Sequence, residues 1–130
     1  MRLGAGARRE GGGIVSGPGE PGHVAFGPYL SLSAGAYRAF VDVDVDVAST
    51  GRGLGAELVA EVAFGSQTAA RQAVSITRAG TFKQAIEMPF RLDRPVPFVG
   101  GDGNEQLCEI RLWSNGVAAL TLRSVFLERT

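Results

Sequence analysis

Between Ala36 and Ala48 the chain alternates without interruption. Tyr37, Ala39, Val41, Val43, Val45 and Val47 take one parity, and Arg38, Asp42, Asp44 and Asp46 take the other. Successive side chains of an extended backbone point to opposite faces, so a sustained period of two predicts a strand with one face buried and one in water. The pattern also disposes of a metal motif. An EF-hand loop beginning at Asp42 would require glycine where Val47 stands and glutamate where Gly53 stands. The aspartates read instead as a solvated strand face, and Tyr37 belongs to the core set.

The same period recurs along the chain. Val24 and Phe26 are expected to point one way and His23 and Ala25 the other, then Gly27-Pro28 bends or breaks the strand, because proline removes a ladder donor. Leu30 and Leu32 resume the inward set while Tyr29 points outward, either as a recognition group or as a plug on a sheet edge. Glu57 to Gly65 places Leu58, Ala60, Val62 and Phe64 on one face; its residues are also good helix formers, but the glycines at both ends and the short length favour a strand. Thr68 to Arg78 predicts a turn or brief helix followed by a strand carrying Val74 and Ile76 inward. After a turn at Gly80, Phe82, Gln84, Ile86, Met88, Phe90 and Leu92 share a face on which Gln84 is the polar exception. Ser49 to Gly55 and Arg94 to Asn104 are rich in glycine and proline and read as loops.

Near the other end, Glu105 to Arg129 carries two strand-like runs around Ser114-Asn115-Gly116, a local signal for a β-hairpin. A two-residue loop would set Arg111 opposite Leu120 and Glu109 opposite Leu122, mixing charge with core. A three-residue loop with Gly116 at positive φ pairs Cys108 with Leu122, Ile110 with Leu120 and Leu112 with Ala118. It leaves Glu109, Arg111, Trp113, Ala119, Thr121 and Arg123 on the opposite face. This register commits Trp113 to the non-core side.

Seven or eight antiparallel strands with no βαβ alternation predict an all-β chain, and the sharply divided strand faces predict a two-sheet antiparallel β-sandwich. Residues 1–22, glycine-rich with Pro18 and Pro21, are expected to form a flexible arm with one short strand at Ile14-Val15, and residues 23–130 the sandwich. The glycines of the arm match neither spacing of a nucleotide-binding loop. One domain suits 130 residues.

Composition narrows the function further. Thirteen basic residues balance thirteen acidic ones, so no global field attracts nucleic acid. No apolar run approaches the roughly 18 residues of a membrane span, and Met1 to Gly13 lack the apolar core of a secretory signal. A reducing cytoplasm is the simplest expected location, consistent with a single cysteine, Cys108, that reads as a buried thiol. His23 has no identifiable carboxylate or serine partner, no serine lies in a nucleophile motif, and no metal-ligand cluster is visible. Only carboxylates such as Glu57 and Glu61 would serve catalysis, so the chain reads as no enzyme, with no catalytic residues, metal or cofactor.

The run GHVAFGPYLSLSAGAYRAFVDVDV, the alternating strands after it, the tetrapeptide WSNG and the closing LTLRSVFLER together resemble the jelly-roll sandwiches of bacterial carbohydrate-binding modules. They are similar, more narrowly, to the galactose-binding-domain-like sandwiches found with glycosyltransferases and sugar-associated methyltransferases. The resemblance spans about Gly22 to Arg129. It implies glycan binding without catalysis, Trp113 as the aromatic platform assisted by Tyr29, Asn115 as a hydroxyl-bonding amide, and glycosyltransferase or methyltransferase domains as partners.

Two functions follow. In the first, Trp113, Arg111, Asn115, Tyr29 and Glu109 form a glycan-binding patch, with Ala119 leaving room beside Arg111. In the second, the chain is a structural or homo-oligomerising sandwich that uses outward Val117, Val125, Leu127 and Phe40 as contact area.

Overall fold

In a computed structural model of the chain, the described residues are 2–3, 7–10, 13–16, 22–26, 32–48, 55–64, 67–93, 95, 98–99, 105–106 and 108–130. Among the described residues twelve strands run in chain order: β1 Arg2–Leu3, β2 Ala7–Glu10, β3 Gly13–Ser16, β4 Gly22–Phe26, β5 Gly35–Val47, β6 Ala56–Phe64, β7 Gln67–Ile76, β8 Gly80–Leu92, β9 Phe98–Val99, β10 Glu105–Gln106, β11 Cys108–Ser114 and β12 Ala119–Arg129. They form two five-stranded sheets, ordered β1-β4-β11-β6-β7 and β2-β3-β12-β5-β8, and a small β9-β10 pair. Every pairing is antiparallel. This is the all-β, two-sheet sandwich that the alternation predicts.

The core lies between the inner faces. Val41, Val43, Val45, Met88, Leu120 and Leu122 of one sheet are buried in a single cluster with Leu58, Ala60, Val62, Cys108, Ile110 and Leu112 of the other. Fully burying a valine, leucine or isoleucine contributes about 1.5–3 kcal/mol, so the two-residue period supplies most of the force that joins the sheets. Tyr37 sits in this core at one end, stacked on Phe90 at 5.5 Å, and its hydroxyl donates to the Ser33 carbonyl at 2.8 Å.

Three expectations are corrected. The first concerns residues 1–22, expected to hold one short strand at Ile14-Val15: Ile14 and Val15 lie in β3, and the described residues add β1 and β2, with β1 paired to β4, β2 to β3 and β3 to β12. These pairings rest on backbone groups that every residue has, and Ala7 packs against the core, so a lack of apolar alternation hides the strands. The second concerns Thr68 to Arg71, which lie within the continuous strand β7 with no turn or helix.

The third correction is the largest. Glu105 to Arg129 is no hairpin, because β11 pairs with β4 and β6 while β12 pairs with β3 and β5 in the opposite sheet. Cys108, Ile110 and Leu112 therefore meet Leu120 and Leu122 across the core rather than along a ladder. The turn at 115–118 is a corner between sheets. Gly116 takes φ 83° there, the left-handed region that an added Cβ disfavours, and Gly80 takes φ 134° where β7 crosses to β8. Turn chemistry is common to hairpins and corners, so it could not tell them apart.

Candidate functional site

Along β11 burial alternates as expected: Cys108, Ile110, Leu112 and Ser114 are buried, and Glu109, Arg111 and Trp113 face outward, partly covered. β11 is the central strand of its sheet, so these three side chains stand in the middle of its outer face. Cross-strand register sets Trp113 beside His23 of β4 and Val59 of β6, and Val59 beside Ala73 of β7. The next row on that face runs Arg111, Glu61, Arg71. A bulge between Leu112 and Trp113 adjusts the β4 register, putting Ala25 rather than Val24 opposite Leu112.

Arg111 donates from Nε to Glu109 Oε1, and the pair is well shielded, with 30% and 13% of the two side chains exposed. Glu61, opposite Arg111 in the ladder, adds a second carboxylate to that row, and Arg71 follows it. The face thus presents an indole beside Val59 and Ala73, with the bonded Arg111–Glu109 pair next to it and Glu61 and Arg71 in ladder register with Arg111. Such a face offers an apolar plate together with donors and acceptors held in place.

Asn115 is placed at the rim, and its amide is engaged by the protein. Its Nδ2 donates to the Gly55 carbonyl at 2.9 Å, and its Oδ1 accepts from the backbone N–H of Glu57 at 3.1 Å and of Val117 at 3.3 Å. Its own backbone N–H donates to the Glu57 carbonyl at 3.0 Å. The side chain acts as an extra rung that extends the β11–β6 ladder into the corner. Ser114, buried beneath, accepts from the Gly116 N–H at 3.0 Å. Tyr29 lies outside the described residues. Ala119 is not beside Arg111: it opposes Asp46 in the other sheet.

Buried Cys108 is pushed up to about 11, first by desolvation and then by the negative charge of Glu109. A thiol in that range supplies negligible thiolate near neutral pH. Among the described residues no three His, Cys, Asp or Glu side chains gather as a metal-binding group.

The outer face of the other sheet holds the residue that alternation missed. A bulge at Arg123 shifts the β12–β5 register between Leu122 and Ser124, so that Val125 and Leu127 pack toward the core and Phe126 turns outward. The expectation of Val125 and Leu127 as outward contact area is corrected accordingly, and Val117 is likewise partly buried against the core. Phe126 stacks on Phe40 at 4.7 Å with planes 15° apart, and it is 48% exposed, the only large apolar side chain so exposed among the described residues. The signal was present in the sequence: apolar residues occupy even positions at Leu120 and Leu122, then odd ones at Val125 and Leu127. A change of phase within one strand marks a bulge.

No family model matches the chain, and no curated protein matches it. Among solved structures it is similar to "Family 16 Carbohydrate Binding Module-2", at 10% identity and TM-score 0.48, over 90% of this chain and 76% of that one. It is also similar to TmCBM61, solved in complex with beta-1,4-galactotriose, at 12% identity and TM-score 0.46, over 91% of this chain and 70% of that one. Likenesses of this size carry no argument about ligands.

Proposed function

We propose that this chain is a non-catalytic glycan-binding sandwich whose ligand lies on the outer face of the β11 sheet. One observation carries the reading: Trp113 stands outward on the central strand of its sheet, beside Val59 and next to the shielded Arg111–Glu109 pair. A pyranose presents an apolar C–H face and a rim of hydroxyls, and it is matched by an aromatic plate with charged hydrogen-bonding groups at its border. Charged partners that are already fixed lose little freedom when a ligand arrives. Arg111 and Glu109 take the roles of donor and acceptor. Asn115, its amide engaged in the corner, acts as a positioning residue that holds the end of β11 against β6.

The test is a glycan array followed by calorimetric titration of the best ligand, with Trp113→Ala compared with the parent chain. Loss of about 1–3 kcal/mol of binding is expected on removing the stacking ring, with unchanged far-UV dichroism. Binding that survives the substitution removes Trp113 from the site, and an array without ligands removes the glycan reading.

A further inference from the structure

We infer that the opposite outer face, built on β5 and β12, is the contact surface of a symmetric dimer of this chain. Four rows of residues stand side by side on these two strands. Arg38 lies opposite Glu128, Phe40 opposite Phe126, Asp42 opposite Ser124 and Asp44 opposite Thr121, with Arg123 at the bulge reaching over to Asp44. Three of the rows are joined within the chain: the rings stack, Ser124 Oγ donates to Asp42 Oδ2 at 2.8 Å, and Arg123 Nε donates to Asp44 Oδ2 at 2.9 Å. Each row therefore holds two groups of complementary character, one on each strand.

That arrangement is self-complementary under one operation. A two-fold axis along the strands, midway between β5 and β12, lays every β5 residue over its β12 row partner in the second copy. Arg38 then meets Glu128 of the partner subunit, Phe40 meets Phe126 of the partner subunit, and the carboxylates of Asp42 and Asp44 meet the hydroxyls of the partner's Ser124 and the partner's Thr121, with the guanidinium of the partner's Arg123 at the bulge between them. Such an interface is isologous, the commonest closed symmetry, and the strands stay aligned as they do in ordinary sheet-on-sheet packing. An aromatic cluster at the centre with charges around it is the usual anatomy of a protein contact.

Exposure favours a second copy as the occupant. Arg38 and Glu87 form a 2.9 Å ion pair at 53% and 48% side-chain exposure, and Arg123 is 54% exposed. Pairs in that much water contribute little, whereas charges arranged in complementary register gain orientation and specificity once a partner covers them. The Trp113 face lies on the other side of the sandwich, so dimerisation leaves it open.

Sedimentation velocity over a concentration series tests the inference. The parent chain is expected to approach twice its 13.6 kDa, and Phe126→Asp to remain at the monomer mass with an unchanged far-UV dichroism spectrum, its melting no longer dependent on protein concentration. Arg38→Glu and Glu128→Arg, each alone, are expected to weaken dimerisation roughly tenfold or more, and the double reversal to restore it. A parent chain that stays monomeric overturns the inference, as does a dimer untouched by Phe126→Asp or a double reversal no better than either single one. A monomer whose Phe126 is covered by an oligosaccharide or a foreign peptide overturns it too. Glycan titration of Phe126→Asp separates the two faces, since sugar binding at Trp113 is expected to persist in the monomer.

Discussion

The two outer faces of the sandwich are made by the same alternation yet treat their charges differently. On the β11 sheet the Glu109 and Arg111 side chains are only 13% and 30% exposed, whereas on the β5 sheet Arg38 and Glu87 are 53% and 48% exposed. Distances do not explain the contrast, since both are in contact; coverage does. A shielded pair is held against water and costs much to break one-sidedly, while an exposed pair exchanges freely with solvent. The charges of the first face are held by their surroundings, and those of the second are held loosely.

The largest expected effect lies at the rim of the shielded face. Asn115→Ala removes three hydrogen bonds, to Gly55, Glu57 and Val117. At about 0.5–1.5 kcal/mol for each, roughly 2–4 kcal/mol of stability is expected to go, measured by denaturant unfolding. A cost near zero would mean that water replaces the amide and that the corner does not brace β11.

Alkaline titration comes next. The unfolded chain releases the Cys108 proton near 9.0 and the folded chain holds it until about 11. The sign follows: stability is level below pH 9, then falls as pH rises toward 11, because the unfolded state sheds its proton first. Two units correspond to about 3 kcal/mol. Chemical unfolding at stepped pH should show this decline, and Cys108→Ala should lack that component of the slope.

The smallest effect separates the faces most directly. Glu109→Gln leaves a shielded guanidinium without its full counter-charge and is expected to cost about 1–3 kcal/mol. Glu87→Gln, at the exposed pair, is expected to cost under about 0.5 kcal/mol in the monomer. Equal costs would erase the contrast between the two surfaces.

Much of this fold is legible in one period. The β5 strand, expected at Ala36 to Ala48, spans Gly35–Val47, and Glu57 to Gly65 becomes the strand Ala56–Phe64 despite its helix formers. Alternation is a local consequence of burial and survives without knowing which strand lies alongside. Partnership is not local. The hairpin signal at Ser114-Asn115-Gly116 correctly implies a left-handed glycine and the outward parity of Trp113, but it carries no information on whether the next strand stays in the sheet or crosses. Pairing of β1 to β3 runs through backbone groups that every residue has, so composition conceals it. Of the site residues, the parity of Glu109, Arg111 and Trp113 was readable; the engagement of Asn115 with Gly55 and Glu57 was not, because it joins residues about sixty positions apart.

The corner between β11 and β12 also has a consequence in time. With no local hairpin to form, β12 must find β5, and the Arg123–Asp44 bond closes a separation of 79 residues. Contacts of that range form slowly, since chain closure is paid in entropy before any contact rewards it. While the polypeptide is being synthesised, β5 waits with one edge unclaimed by β12 and with a valine-rich face ready to pair elsewhere. Asp42, Asp44 and Asp46 put like charges along that strand, a composition that disfavours pairing with a second copy of the same strand.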